Sequence, residues 1–217
     1  MAAATRRPRP PAPGARRIES AARRLFANRG FAGTSMADIA TAAGVSKATV
    51  FHHYRNKRQL YEALVGDAFA GFREQIIPLL DAEGVVQGSL RDFAAAHLER
   101  LTRMQGTMRL IAREMLSWTA GSGEELVSGE MSRNFSLLVE AVRRGQARGT
   151  VRADADPGLA VFLLLCSSWF VFQTGALVRR NPDLAVAASV DTYADELARL
   201  LYHGLAPRAA RDPEESP

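Results

Sequence analysis

The chain has little of what marks several large protein classes. It holds one cysteine, Cys166, so no internal disulfide can form and a secreted cross-linked scaffold is excluded. Cys166 sits in an apolar run, where a buried structural thiol is the plain reading. There is no metal-spaced His/Cys cluster, no nucleophile elbow and no dinucleotide fingerprint. The glycine-rich turn at Gly121-Ser122-Gly123-Glu124-Glu125 lacks the Lys-Ser/Thr of a phosphate loop. His97 and His203 are isolated. His52 and His53 are neighbours whose side chains diverge by about 100° on a helix, a poor metal pair. An enzyme is not expected, nor is a cofactor or a metal. The basic N-terminus has no apolar stretch behind it, so it is not a secretory signal, and a reducing cytoplasm is the expected location. Strand-like alternation and internal repeats are also missing.

What is present favours helix. The 217 residues are 47% hydrophobic, enough to bury a core. Ala, Arg and Leu dominate. Charge is concentrated. Residues 1–60 carry twelve Lys/Arg against Glu19 and Asp38, a net of +10, while the remainder carries sixteen basic against twenty-one acidic groups, a net of −5. A basic field confined to one end suits a polyanion, either nucleic acid or an anionic membrane surface.

Residues 1–13 are rich in Pro and Arg, have no hydrophobic period and read as disordered. From Gly14, Ile18, Ala21, Ala22, Leu25 and Phe26 form one apolar stripe of a helix, with Gly30 placed to end it at positive φ. Ser35 and Asp38 have capping-box spacing ahead of a second helix. Ile39, Ala40 and Ala43 supply its buried side, and Gly44 breaks it. Ser46 caps a third helix running to about Tyr54. Asn56 caps a long fourth helix from Lys57. Ala40, Gly44 and Val50 have the small, turn-forming and branched character that two crossing helices of a helix-turn-helix require. Val50 and Phe51 read as core. Tyr54 suits core and phosphate contact alike, and Arg55 and Arg58 read equally as solvated charge.

Arg17 to Leu64 resembles the DNA-binding domain of the tetracycline-repressor (TetR) family. The resemblance is carried by Ile18, Ala21, Ala22, Leu25, Phe26, Gly30, Phe31, Thr34, Ser35, Asp38, Ile39 and Ala40. It continues through Ala43–Tyr54 (AGVSKATVFHHY) to Asn56, Lys57 and Leu60. It implies an all-α protein of about nine helices, with an N-terminal three-helix helix-turn-helix domain and a C-terminal helical ligand-binding and dimerisation domain. The boundaries read as 14–60 and 61–206, with a disordered tail at 207–217. It further implies a homodimer on a near-palindromic, double-stranded operator and release by a small-molecule effector. Lys47, Ala48, Thr49 and His52 are then placed to face DNA, with Lys47 and Thr49 the candidates for base edges. Thr34, Ser35, His53, Tyr54 and Lys57 are candidates for phosphate. Ala48 replaces the family's usual Gly and Phe51 its usual Tyr, which removes a hydroxyl that often binds phosphate.

Helices are expected near 86–104, 107–118, 124–147, 157–179 and 183–204, with Val186, Val190, Tyr193, Leu197 and Leu200 along one face of the last. Leu159–Val178 is twenty residues without a formal charge and meets the length of a membrane span. Ser167, Ser168, Gln173, Thr174 and the lack of a second such segment favour a core helix that also packs on a partner subunit. No membrane partner is expected. Cys166, Phe170, Leu177, Leu197 and Leu201 are candidates for the dimer seam. Met104, Met108, Met115, Trp118, Phe135, Trp169 and Phe172 are soft or aromatic candidates for the pocket of a largely apolar effector, and each suits ordinary core as well. Two other readings compete: a membrane-bound adaptor, and an interaction module whose helix-turn-helix no longer reads DNA.

Overall fold

The computed structural model describes residues 13–81, 85–116 and 122–205. These form eleven α-helices and one 3-10 helix, with no strand among the described residues. The helices are α1 (Pro13–Arg29), α2 (Met36–Ala43), α3 (Lys47–His53), α4 (Lys57–Gln75), α5 (Pro78–Asp81), α6 (Gln87–Arg103), α7 (Gln105–Leu116), α8 (Ser122–Ala147), α9 (Pro157–Gln173), α10 (Gly175–Val178) and α11 (Val190–Leu205), with the 3-10 turn at Pro182–Ala188. Apart from Pro13, the tails expected to be disordered lie outside the described residues, as does Trp118.

The chain divides into two units: residues 1–67 with 106–127, and residues 68–105 with 128–217. The boundary expected near residue 60 instead falls inside α4, after Asp67.

In the first unit α1, α2 and α3 pack on one another. Ile18, Ala22, Phe26, Ile39, Ala40, Val50, Leu60 and Leu64 are buried. Phe26, Phe31 and Tyr61 form an aromatic triangle with ring centroids 5.1–5.9 Å apart. Gly30 ends α1 at φ 74°, and a Cβ there would meet the Arg113 side chain at 2.9 Å. The left-handed backbone is what calls for glycine there. Arg113, on α7, also donates to the Asn28 carbonyl at 3.2 Å, and Thr107, Met108, Leu110 and Ile111 of the same helix are buried.

In the second unit α6 packs on α5, α9 and α11. Ile76, Leu80, Leu90, Phe93, Leu138, Val142, Val161, Leu164 and Ala198 make the main core. Asp156 caps α9 by accepting from the Leu159 N–H at 2.6 Å, with Pro157 in the first turn. Buried Tyr193 exchanges hydrogen bonds with Ser168 and Ser167, each at 2.9 Å. Two of the hydroxyls that interrupt the apolar run therefore tie α9 to α11. Arg91 clasps α11 through Asp195 at 2.7 Å and Asp191 at 3.1 Å. His97 is buried between Phe72 and Phe93, with ring centroids at 5.2 and 5.7 Å. Its Nδ1 has no hydrogen-bond partner among the described residues. Burial first, and the Arg100 charge second, depress its pKa to about 4.

Three expectations are corrected. The helix expected over 157–179 breaks at Thr174, whose hydroxyl donates to the Phe170 carbonyl at 2.7 Å ahead of Gly175. No described helix is long and apolar enough to cross a membrane. The helix expected over 183–204 is a 3-10 turn and then α11, separated by Ser189 in extended conformation, so its proposed common face does not exist: Tyr193 is buried, while Val186 and Leu200 are exposed. Cys166 is exposed on α9, not buried.

Candidate nucleic-acid interface

The helix-turn-helix is built from local hydrogen bonds. Ser35 Oγ accepts from the Asp38 N–H at 3.1 Å, and Asp38 accepts from the Ser35 N–H at 2.9 Å. The Ser35 hydroxyl also donates to Asp38 at 2.6 Å. These bonds, led by the hydroxyl, hold the Asp38 carboxyl below its ordinary pKa, with a smaller contribution from the Arg29 charge. Gly44 makes the turn at φ 62°, in the left-handed region. Ser46 starts α3 by accepting from the Thr49 N–H at 3.0 Å, and its hydroxyl pairs with that of Thr49 at 2.8 Å. Asn56 starts α4 by accepting from the Gln59 N–H at 2.8 Å. Each helix thus begins on a side-chain oxygen that satisfies an orphan amide.

Val50 seals α3 onto its support and is fully buried. Opposite it, Lys47, Ala48, Phe51 and His52 are exposed. At 100° per residue these four share one face, with Phe51 between Lys47 and Ala48. Phe51 is 43% exposed, which overturns its reading as core: Val50 fills the inward side, and a residue one step on must point away. The sequence contained this signal, since the helical angle of Phe51 follows from that of Val50. Thr49 and His53 are half-buried at the flanks.

The phosphate candidates separate. Ser35 is exposed. Thr34 is 2% exposed and its hydroxyl donates to the Gly30 carbonyl at 2.9 Å, so it is a structural tie and cannot reach phosphate. Tyr54 is half-buried, and its hydroxyl donates to Glu19 at 2.8 Å. Burial, then Glu19, holds that phenol far above the ordinary tyrosine range. Tyr54 therefore anchors the end of α3 to α1. Lys57 donates to the Phe31 carbonyl at 2.7 Å with its Nζ 4.4 Å from the Phe31 ring centroid, leaving two N–H groups of the ammonium for other partners.

The six pocket candidates among the described residues are divided between the two units. Trp169 and Phe172 pack together at 5.7 Å, and Phe135 packs on the core of the second unit. Met104 caps α6. Met108 and Met115 belong to the first unit, where Met108 is buried and Met115 exposed. A groove of about 430 Å³ between α1 and α2 is lined by Arg24, Leu25, Asn28, Arg29, Asp38, Thr41 and Ala42, none of them a pocket candidate. Of the seam candidates, Cys166, Phe170 and Leu177 are exposed. Leu197 and Leu201 instead pack partly buried against the core, because α11 turns that side toward α6; Leu200, 63% exposed, occupies the outward position.

Residues 18–64, which span this interface, match the sequence profile of bacterial regulatory proteins of the tetR family. Over 194 residues, 84% of this chain and 86% of the relative, the chain is 26% identical to the HTH-type transcriptional repressor KstR2 of Rhodococcus jostii (strain RHA1). Among solved structures it is similar to AibR in complex with isovaleryl coenzyme A and operator DNA, at 26% identity and TM-score 0.57, covering 74% of this chain and 86% of that one. The fold is also that of the TetR family regulator PfmR from Thermus thermophilus, at 23% identity and TM-score 0.65, covering 89% and 97%. A capped helix-turn-helix with an exposed third helix, the profile match across it and these likenesses lead to one conclusion: residues 18–64 form a DNA-binding region of the tetR type, and the chain as a whole is similar to regulators of the tetR family.

Proposed function

We propose that this chain is a dimeric, sequence-specific repressor that binds a near-palindromic operator and is released from it by a small molecule. The observation that carries the reading is the outward face of α3, four exposed side chains on a helix fixed by Val50, Ser46 and Tyr54. A rigid helix projecting from its support is what entry into a major groove requires. The basic charge of residues 1–60 supplies the attraction to phosphate. Selection from a random duplex library at near-physiological salt tests it. The expected product is a palindrome whose half-site centres lie about one helical turn, roughly 34–36 Å, apart. Retention without a consensus, fading steeply with salt, would reduce the chain to a non-specific polycation and overturn the reading.

Dimerisation is assigned to α9. Leu159, Phe162, Leu163, Cys166 and Phe170 are exposed along it at spacings that place them on one side of a helix. Such a stripe is covered most simply by its own copy. Phe170→Glu puts a charge into this stripe. Sedimentation should then show monomers, and operator affinity should collapse, because a single reader grips one half-site. A variant that stays dimeric would remove α9 from the interface.

The effector is assigned to the second unit, with a largely apolar group as the part that the protein encloses. A relative that is 26% identical holds isovaleryl coenzyme A, so a short acyl thioester of coenzyme A is the first compound to try. Helix α4 begins in the reader and ends in the second unit, which makes it the element through which binding is felt. Tenfold weaker operator binding needs about 1.4 kcal/mol of coupling. The site of action is the cytoplasm, where DNA and such thioesters meet.

A further inference from the structure

Phe51 stands at the middle of the reading face and is spent on nothing inside the protein. It is 43% exposed, and the Lys47 ammonium lies 5.9 Å from its ring centroid. Val50 takes the core position beside it, and Tyr54 takes the anchoring hydroxyl role. An exposed phenyl on a basic, polar helix costs solvation unless a partner covers it. It has no donor or acceptor, so it can bind neither a phosphate oxygen nor a polar base edge. Its neighbour Ala48 offers only a methyl group. The Thr49 hydroxyl is engaged by Ser46. The central part of the face is therefore apolar, flanked by Lys47 and His52.

In the major groove one base presents an apolar group to match, the C5-methyl of thymine. We infer that Phe51, with Ala48 beside it, reads thymine methyl groups, and that Phe51 is the residue that determines specificity on α3. Lys47, at the ring's margin, is then left for an adjacent guanine, whose O6 and N7 accept from a cation. The inference rests on the chain being a DNA reader. It adds what that reader selects: half-sites with thymine at the position opposite the centre of α3.

The test uses the full-length protein and the duplex recovered by library selection. Thymines in both half-sites are replaced one symmetric pair at a time by deoxyuridine, which keeps the base pair and lacks the methyl group. At one or two pairs the wild-type protein should bind about 15-fold more weakly, from roughly 4-fold per half-site for one buried methyl group. Phe51→Ala should bind the thymine duplex more weakly and be indifferent to the replacement. Phe51→Tyr, which keeps the ring, should retain the penalty. Circular dichroism controls for folding, which the exposure of Phe51 leaves unaffected. Indifference of the wild type to every replacement would overturn the inference, as would a penalty that survives in Phe51→Ala. If selection yields no consensus at all, the DNA-reader reading itself fails. A consensus with no methyl dependence defeats only the role of Phe51.

Discussion

Replacing Phe26 with alanine lowers the stability of the first unit by about 3–5 kcal/mol, the usual cost of deleting a fully buried aromatic ring. Phe26 is inaccessible to solvent. Its ring meets Phe31, in the segment leading to α2, and Tyr61, on α4. The deletion removes the transfer free energy of the ring and leaves a cavity among helices that are fixed by their caps and cannot close over it. Denaturant unfolding followed by circular dichroism should show an earlier transition for the reader, with the transition of the second unit unmoved. Operator affinity should fall in parallel, because Phe31 and Tyr61 lose the surface that holds the α1–α2 and α1–α4 packing. Phe26→Leu, which keeps most of the volume, should cost markedly less. A loss below about 1 kcal/mol for the alanine variant would mean that the triangle contributes little and that the reader is held mainly by its small residues.

The second large effect is a dependence on pH. His97 is neutral in the folded protein down to about pH 4, whereas an unfolded histidine takes a proton near 6.5. Between these values the unfolded chain binds a proton that the native chain refuses. Stability is therefore intact above about pH 6.5 and is lost as pH falls toward 4. The loss is about 2 kcal/mol at pH 5 and about 3 kcal/mol at the foot of the window. His97→Leu removes the titrating group and keeps an apolar side chain against Phe72 and Phe93. Its stability should decline less between pH 7 and 5 than that of the wild type, by about 2 kcal/mol. At pH 7 it should be no less stable, since the wild-type Nδ1 is buried without a partner. Parallel pH profiles for the two proteins would show that His97 titrates normally and is accessible to water.

Local chemistry made the reader legible. Ser35, Asp38, Gly44, Ser46 and Asn56 each act within four residues of themselves, and an effect of that range can be read from spacing alone. The same holds for Asp156 and Pro157 at the start of α9. Phe51 has the side chain of a core residue but the helical angle of a surface one, and the angle decides: it is exposed beside buried Val50. The Thr34 bond to Gly30 spans only four residues, but a hydroxyl that can tie a turn can equally face phosphate, and the Tyr54 bond to Glu19 joins residues thirty-five apart, beyond any short-range pattern. The break after Gln173 had a local signal in Thr174-Gly175, hidden inside an apolar run. The pocket was out of reach for a different reason. Which of Met104, Phe135, Trp169 and Phe172 line a cavity depends on how long helices are rotated against each other, and no short-range pattern records that.

Residues 106–127 belong to the first unit, and this bears on how such a protein can be recombined. The reader is discontinuous in sequence: α7 comes back to it through Arg113, which binds the Asn28 carbonyl and lies where any side chain on Gly30 would go. A splice that exchanges only the segment ahead of α4 would separate the α1 end and Gly30 from the arginine packed against them. Clean exchange of readers between relatives, in the laboratory or in a genome, therefore needs two crossovers flanking α7 in addition to the one in α4. Positions 30 and 113 should be inherited together, although more than eighty codons separate them.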